Sequence, residues 1–296
     1  MRLDGWLNID KPSGITSYGV IARLKGLTGQ RHIGHAGTLD PLATGVLPIA
    51  FGRAARTIEF LHQVPKTYRA IIELGVETDT LDTEGKVIFR AEATHIDREA
   101  VQKSLEPFIG IIQQVPPMYS ALKKNGTPLY ELARRGETVE VKPRAVTIHQ
   151  IDLIDFTSPF VTIDVECGSG TYIRSIARDL GQTLGVGGHL KSLRRTKYGE
   201  FDIQNAVELE ALNKVDDLLG RLLPLDFALT HCPVFIPSSE DAEKITHGVL
   251  SIEFLSQLNE KASYKVYAPG GDLLAIIDAS GTDPRLKVFL PPLVDS

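Results

Sequence analysis

The stretch GHAGTLDPLATGVLPIAFG, residues 34–52, combines a glycine-rich turn, one acidic residue and a short apolar run. The apolar run, 42–52, is short enough to form a buried β-strand, whereas the residues before it are typical of a loop. Asp40 therefore lies where a loop meets a strand. Since an aspartate before a proline is usually a turn residue, Asp40 becomes a catalytic candidate only if other segments supply partners.

The segments around this stretch predict an α+β fold with a central mixed, mainly antiparallel sheet and flanking helices. Upstream, residues 6–10 are typical of a strand, and residues 16–29 of a helix with a Thr or Ser cap. Downstream, 67–75 and 86–93 alternate like paired strands. The remaining predicted strands are 146–156 and 160–167, and the remaining predicted helices are 54–63 and 97–108.

Two regions depart from this pattern. Residues 116–144 carry four prolines, two glycines and several basic residues, which predicts a basic inserted loop, and loops of that length are usually functional or mobile. Beyond Pro224, short strand-like pieces alternate with glycines. We therefore expect a catalytic domain over 1–232 and a small β domain over 233–296.

The overall composition is that of a globular protein, with 43% hydrophobic and 23% charged residues in 296. No apolar run is long enough to span a bilayer, and the N-terminal residues lack the features of a secretory signal. Both points favour a cytoplasmic location and argue against a membrane partner.

The cysteines and histidines argue against metals and disulfides. Cys167 and Cys232 have no finger-like spacing, so both are expected to be reduced core thiols. His32 and His35 are three residues apart but have no third ligand nearby. We expect no metal and no cofactor.

Charge is unevenly distributed along the chain. Residues 1–199 hold 25 Lys and Arg against 21 Asp and Glu, whereas residues 200–296 hold 7 against 16. The segment from Arg174 to Lys197 carries six basic residues and one acidic residue. It is either a phosphate-binding stripe or a solvated helix face, and the charge run alone leaves both open.

A second candidate segment is GSGTYIRSIARDLG, residues 168–181. Its glycines allow a tight turn after a strand, and Thr171 is suited to cap the helix that follows. The third glycine of a dinucleotide-binding fingerprint is missing, and neither a P-loop nor a nucleophile elbow occurs elsewhere. Tyr172 and Arg174 are therefore placed near a helix start without a cofactor motif.

Five segments together resemble the bacterial-type tRNA pseudouridine-55 synthases, the TruB family of pseudouridine synthases. They are residues 34–52 and 168–181 with LNIDKPSGITS (7–17), TYRA (67–70) and LRRTKYGEF (193–201). The resemblance covers nearly all of the predicted catalytic domain and is loosest at the C-terminal end. One departure is Ala55, where the family often has Thr.

The resemblance implies a set of site residues. Asp40 is the essential aspartate, Tyr68 the aromatic ring that stacks on the target base, Tyr172 an active-site phenol and Arg174 the partner of Asp40. An adjacent guanidinium with two hydrogen bonds is expected to lower the pKa of the carboxylate and fix its direction.

The resemblance also implies RNA contacts. His35 inserts beside the flipped nucleotide, Lys11 with Pro12 supports the catalytic loop, and Leu193 lines the base pocket. The further expected RNA-binding residues are basic: Arg194, Lys123, Lys124, Arg134 and Arg135. The basic inserted loop is expected to close over the RNA.

The implied reaction converts uridine 55 in the T loop of tRNA to pseudouridine, with a flipped-out base and an aspartate nucleophile. The fold implied is a pseudouridine synthase domain followed by a small RNA-binding domain of the PUA type. A guide-RNA-dependent synthase and a tRNA-folding chaperone are the alternatives. We expect a monomer that needs tRNA but no obligate protein partner.

Overall fold

The structure is a computed structural model that describes residues 3–120, 122–124, 126–137, 139–258, 262–279 and 285–289. The strands are β1 Gly5–Lys11, β2 Ile33–His35, β3 Thr44–Phe51, β4 Lys66–Leu74, β5 Val76–Thr78, β6 Val87–Arg90, β7 Gly110–Gln114, β8 Lys123–Lys124, β9 Thr127–Pro128, β10 Arg144–Thr157, β11 Phe160–Cys167, β12 Gly188–Tyr198, β13 Phe201–Asp202, β14 Val207–Glu208, β15 Val234–Phe235, β16 Ser263–Tyr267, β17 Leu273–Asp278 and β18 Arg285–Phe289.

The α-helices are α1 Ser17–Thr28, α2 Arg98–Leu105, α3 Leu129–Arg134, α4 Ile173–Thr183, α5 Asp216–Leu219, α6 Ser239–Thr246 and α7 Ile252–Leu255. Short 3-10 helices occupy Glu106–Phe108, Ile203–Asn205, Leu209–Ala211 and Phe227–Leu229, and a longer one occupies Gly52–Gln63. The expected helix over 54–63 is therefore present, but as a 3-10 helix.

A ten-stranded sheet forms the centre of the molecule, in the order β14-β1-β3-β12-β4-β11-β10-β7, with β2 paired to β3 and β13 to β12. The β1–β14 and β3–β12 pairs are parallel, whereas the other pairs of this sheet are antiparallel. The predicted mixed, mainly antiparallel sheet of an α+β fold is confirmed.

Strand β4 shows why this sheet has a buried centre. Its burial alternates along the strand, with Tyr68, Ala70 and Ile72 in the core, as expected when successive side chains point to opposite faces. Since β11 and β12 occupy its two edges, β4 has no edge left for another strand. This central position holds Tyr68 in a fixed direction.

The predicted pairing of residues 86–93 with 67–75 is wrong. Only Val87–Arg90 of the first segment forms a strand, β6, and it pairs with β5 in a separate two-stranded sheet. Both edges of β4 are filled by strands that come later in the chain, which a local alternation pattern does not reveal. Residues 116–144 include β8, β9 and α3, so the inserted segment has short elements of its own.

The two helices next to the candidate segments begin in different ways. The Thr16 side chain caps α1 by accepting a hydrogen bond from the Gly19 amide, as predicted. In α4 the cap position is Tyr172, and Thr171 donates its hydroxyl to the Gly168 carbonyl instead. The expectation that Thr171 caps α4 is therefore wrong.

A four-stranded sheet, β15-β16-β17-β18, confirms the expected β-rich C-terminal region. It contacts the rest of the chain through a hydrogen bond from the Tyr267 hydroxyl to Asp226 and through packing of Ile276 near Phe60. The boundary at residues 232 and 233 stays a prediction. Both cysteines are free and buried, as predicted.

Candidate active site

Four elements converge on one cavity of about 260 Å³. Asp40 comes from the loop between β2 and β3, Tyr68 from β4, Arg174 from the first turn of α4 and Leu193 from β12. Neighbouring strands bring the two sheet residues together, because Leu193 is paired with Ala70 in the β4–β12 register. Residues far apart in sequence thus share one pocket.

Asp40 and Arg174 form an ion pair across this cavity, with Arg174 Nη2 2.9 Å from Asp40 Oδ2. Arg174 is only 5% exposed, and its guanidinium also donates to the Tyr119 and Thr80 carbonyl oxygens at 2.8 and 3.2 Å. Its other terminal nitrogen, Nη1, lies 3.3 Å from Asp82 Oδ2. Arg174 therefore bridges two carboxylates and is fixed in direction by its neighbours.

The net effect on Asp40 differs from the sequence expectation. Burial raises the pKa of the Asp40 carboxyl above its ordinary value, while the charge and hydrogen bond of Arg174 lower it and the charge of Asp82 raises it. The expected lowering of the pKa is wrong because burial outweighs the guanidinium, and the expected two-bond contact is wrong because Arg174 directs Nη2 to Asp40 and Nη1 to Asp82. The side chain keeps 38% exposure, so it is open to a substrate.

The two tyrosines line the same cavity. Tyr68 is 8% exposed, and the Arg195 guanidinium lies 6.0 Å from its ring centre. Burial raises the pKa of both phenols, Tyr68 and Tyr172, so each is held in its neutral form. Both therefore remain hydrogen-bond donors in the pocket.

Lys11 is fully buried and faces the protein. Its ammonium donates to the carbonyl oxygens of Pro12, Ile15 and Pro41 at 2.9, 2.7 and 3.3 Å. These bonds take all three of its donors and form a clamp between the start of α1 and the Asp40 loop. They agree with the expected support of the catalytic loop, whereas the expected direct RNA contact of Lys11 is corrected. Burial lowers the pKa of this lysine to about 8.

His35 lines a second cavity that shares Asp40, Thr38 and Arg174 with the first. Its Nδ1 is buried and has no hydrogen-bond partner among the described residues. Burial and the charge of Arg195 lower the pKa of His35, which favours the neutral ring. The ring thus offers an unused polar atom beside the Asp40 loop.

The basic segment 174–197 does not form a single surface. Arg174 and Arg195 are buried, Lys191 pairs with Glu73 at 2.7 Å, and Arg194 pairs with Asp10 at 2.6 Å. Both the phosphate-binding stripe and the solvated helix face are therefore wrong for the segment as a whole. Its residues are divided between α4 and β12, so they face different surroundings.

The expected RNA-binding residues of the inserted segment lie on its surface where they are described. Lys123 and Lys124 are exposed on β8. Arg135 is exposed and lies 3.8 Å from Glu131. The side chain of Arg134 lies outside the described part of the structure.

Three site residues were missed by the sequence reasoning: Asp82, Arg195 and Lys66. Asp82 lies in the acidic turn DTLDTEG, 79–85, and its only signal was that turn. Arg195 donates to the Val46 and Gly37 carbonyl oxygens at 2.7 and 2.8 Å, and its only sequence signal is its place in the basic segment. Lys66 lies two residues before Tyr68 and lines the same cavity.

Among the described residues, no cluster of His, Cys, Asp and Glu could hold a metal ion. Over the same residues, no helix is long and apolar enough to cross a membrane.

Two family models match the chain. TruB family pseudouridylate synthase (N terminal domain) matches residues 25–173, and tRNA pseudouridylate synthase B C-terminal domain matches residues 174–230. A tRNA pseudouridine synthase B from Dehalococcoides mccartyi (strain ATCC BAA-2100 / JCM 16839 / KCTC 5957 / BAV1) is 47% identical over 97% of each chain. One from Thermobifida fusca (strain YX) is 43% identical over 97% of this chain and 98% of its own.

Solved structures agree on the fold. A chain of a Cbf5-Nop10-Gar1 complex superposes with a TM-score of 0.73 at 24% identity, over 97% of this chain and 85% of its own. A chain of an H/ACA RNP bound to a substrate RNA containing 2'-deoxyuridine gives 0.72 at 23%, over 97% and 85%. The two family models and the relatives, which cover nearly the whole chain, show that this chain belongs to the TruB family of pseudouridylate synthases, which are isomerases.

Proposed function

We propose that this protein isomerises uridine 55 in the T loop of tRNA to pseudouridine, with Asp40 as the nucleophile. The observation that carries the proposal is the Asp40–Arg174 ion pair in a cavity that Tyr68 and Tyr172 also line. Relatives covering nearly the whole chain are named tRNA pseudouridine synthase B, which supports tRNA as the substrate.

The reaction breaks the N1–C1′ bond of uridine, turns the uracil, and joins C5 to C1′, while C5 loses a proton and N1 gains one. It therefore needs no redox step. Ionised Asp40 attacks the nucleoside, and Arg174 holds the carboxylate in the direction of attack. Tyr172, a neutral phenol, hydrogen-bonds the base or relays a proton while the ring regains its aromatic form.

Base flipping supplies access to the buried bond. The target nucleotide must leave the stack of the T loop, at a cost of about a few kcal/mol. Stacking of the uracil on Tyr68 offsets this cost by about 1–3 kcal/mol. Leu193 packs against the base, and His35, whose Nδ1 is unsatisfied, takes a position beside the vacated stack.

Further contacts hold the tRNA outside the pocket. The exposed lysines of the inserted segment, Lys123 and Lys124, bind phosphates and help that segment close over the RNA. Arg194, whose side chain is partly exposed, also contacts the RNA. The C-terminal sheet serves as a PUA-like RNA-binding module. We assign the activity to a monomer in the cytoplasm that works without a protein partner.

Tritium release tests this proposal directly. Purified protein is incubated with tRNA transcript labelled at uracil C5, and released tritium is counted without any guide RNA. We expect release from wild-type protein, none from Asp40→Asn, and unchanged tRNA binding by that variant. Absence of release without a guide would overturn the stand-alone synthase, and equal release from Asp40→Asn would remove Asp40 from the chemistry.

The position of the reaction is tested on the same transcript. Replacing uridine 55 alone with cytidine removes the substrate, so tritium release should fall to background while uridines elsewhere remain. Release that persists in this transcript would show that another uridine is the target.

A further inference from the structure

Lys66 is a buried cation that no carboxylate in the described part of the chain contacts as an ion pair. It is 7% exposed, and its ammonium donates to Ser169 Oγ at 2.8 Å and lies 4.4 Å from the centre of the Tyr198 ring. Among the described residues, no carboxylate forms an ion pair with it. A buried charge left in this condition is costly unless a ligand supplies the missing anion.

The turn that receives Lys66 has unused donors of its own. The backbone amides of Ser169, Gly170 and Thr171 donate no hydrogen bond within the described part of the chain. The turn directly precedes Tyr172, the cap residue of α4, an eleven-residue helix whose N-terminal end favours anions. Lys66 and this turn line the same cavity as Asp40.

The charge of the cavity wall selects an anion over a neutral group. Its charged lining consists of three cations, Lys66, Arg174 and Arg195, against the single carboxylate of Asp40, and its other ionisable residues are His62 and the two neutral tyrosines. Arg174 is paired with Asp40 and Asp82, whereas no carboxylate of the described residues pairs with the two cations on the β4–β12 side. A uracil carbonyl carries no net charge, whereas each phosphodiester next to the target nucleotide carries one negative charge.

We propose that Lys66 and the Ser169–Thr171 turn form a subsite for a phosphodiester that flanks the flipped nucleotide. The inference rests on the proposed function, since it takes RNA to be the substrate. Ser169 orients Lys66, because its hydroxyl accepts from the ammonium and donates to the His62 carbonyl oxygen. The bound phosphate fixes the sugar above Asp40, while Tyr68 and Leu193 contact the base. Lys66 is thus a positioning residue.

Neutral phosphate replacements test the subsite. T-arm stem-loop RNAs carry one methylphosphonate 5′ to the target uridine, 3′ to it, or in the distal stem. Their affinities are measured for the Asp40→Asn protein, which is expected to bind without turnover. Since hydrogen bonds to charged groups are among the stronger ones, we expect one flanking replacement to weaken binding about tenfold more than the stem replacement.

Removing the lysine should erase this difference. In Asp40→Asn protein that also carries Lys66→Met, unmodified RNA should bind about tenfold more weakly, and the sensitive methylphosphonate should cause no further loss. The matched control, Lys103→Met at an exposed position of α2, should keep the full effect. The position of the sensitive replacement identifies the 5′ or the 3′ phosphodiester.

Two results overturn the subsite. One is weaker binding by the Lys66→Met protein with the full methylphosphonate effect retained, which would indicate contact with the base. The other is equal affinity of all RNAs for the protein with Lys66 intact, which decides the matter even if Lys66→Met fails to fold. Failure of the proposed function is recognised separately, by absence of tritium release from wild-type protein.

Discussion

Asp82 and Arg174 form a buried ion pair behind the candidate nucleophile, with Asp82 Oδ2 3.3 Å from Arg174 Nη1. Asp82 is itself held by the Thr80 hydroxyl, which donates to its Oδ1 at 2.6 Å, and by the Glu84 amide at 3.1 Å. Asp82 contacts Nη1 while Asp40 contacts Nη2, so Asp82 is the charged group that, with the Tyr119 and Thr80 carbonyl oxygens, holds Arg174 in position.

Asp82→Asn should therefore slow the reaction more than it weakens RNA binding. The amide keeps much of the shape but loses the charge that holds Arg174, so we expect the single-turnover rate to fall about 10- to 100-fold, consistent with loss of about 1.4–2.7 kcal/mol of transition-state stabilisation. The tRNA dissociation constant should change little. Single-turnover tritium release and filter binding measure the two quantities.

The matched control is Asp155→Asn, an exposed aspartate on β10, which should leave both quantities unchanged. A wild-type rate in the Asp82→Asn protein would show that Arg174 needs no support from Asp82.

As pH decreases, activity should begin to fall at a higher pH than the pKa of a free aspartate would give. Asp40 acts as an anion, so the rate is lost as pH decreases through its pKa. Burial raises that pKa above the ordinary 3.8, so the loss should begin above the range of a free aspartate. The pH profile of kcat/KM, which reports the free enzyme, measures this with tRNA binding followed in parallel. A flat profile down to pH 4 with intact binding would contradict the direction of the shift.

Local sequence patterns predicted much of the fold, and the reason is visible in particular elements. Strand β3 follows from an apolar run, and helix α1 follows from a Thr cap and a terminal glycine. Each signal lies within the segment that forms the element. The pairing of β4 with β11 and β12 depends on residues far along the chain, so alternation alone led to the wrong partner, the β6 segment.

The same distinction applies to the site. The pocket residues Asp40, Tyr68, Tyr172 and Arg174 came from motif resemblance, and the structure brings them to one cavity. Asp82 was missed because its role depends on its contact with the Arg174 guanidinium, and its turn has the sequence of an ordinary acidic loop. The sequence did not predict the burial of Lys11, because a lysine beside a proline carries no local signal for where its ammonium group lies.

The ring of Tyr68 should matter for base flipping separately from its hydroxyl. Tyr68→Leu removes the stacking face, worth about 1–3 kcal/mol, so the flipped state should lose about 5- to 150-fold in population. Tyr68→Phe keeps the face and should still flip the base. Fluorescence of a 2-aminopurine placed next to the target uridine reports flipping in both variants. Equal flipping by the Leu variant would mean that Tyr68 packs against the core only.

Loss of the Lys11 clamp should destabilise the protein around the Asp40 loop. Lys11→Met leaves the Pro12 and Ile15 carbonyl oxygens without a described donor, whereas Pro41 keeps the Gly14 amide, and an unsatisfied buried group costs about 1–3 kcal/mol. We expect the free energy of unfolding, measured in urea, to fall by at least about 2 kcal/mol in total. Lys86→Met, at an exposed position, is the control and should leave the unfolding free energy unchanged within about 0.5 kcal/mol. A urea unfolding midpoint of the Lys11→Met protein equal to that of wild type would show that the Lys11 clamp does not stabilise the protein.

The exposed lysines of the inserted segment should contribute through charge. Replacing Lys123 and Lys124 together by alanine removes two phosphate contacts, so tRNA affinity should fall, and the slope of log affinity against log salt should become shallower by about 1 per lost contact. The double variant Lys103→Ala with Lys214→Ala removes the same charge elsewhere on the surface. If both double variants lower the slope equally, net charge accounts for the effect and β8 does not touch the RNA; a change confined to the β8 variant locates phosphate contacts there.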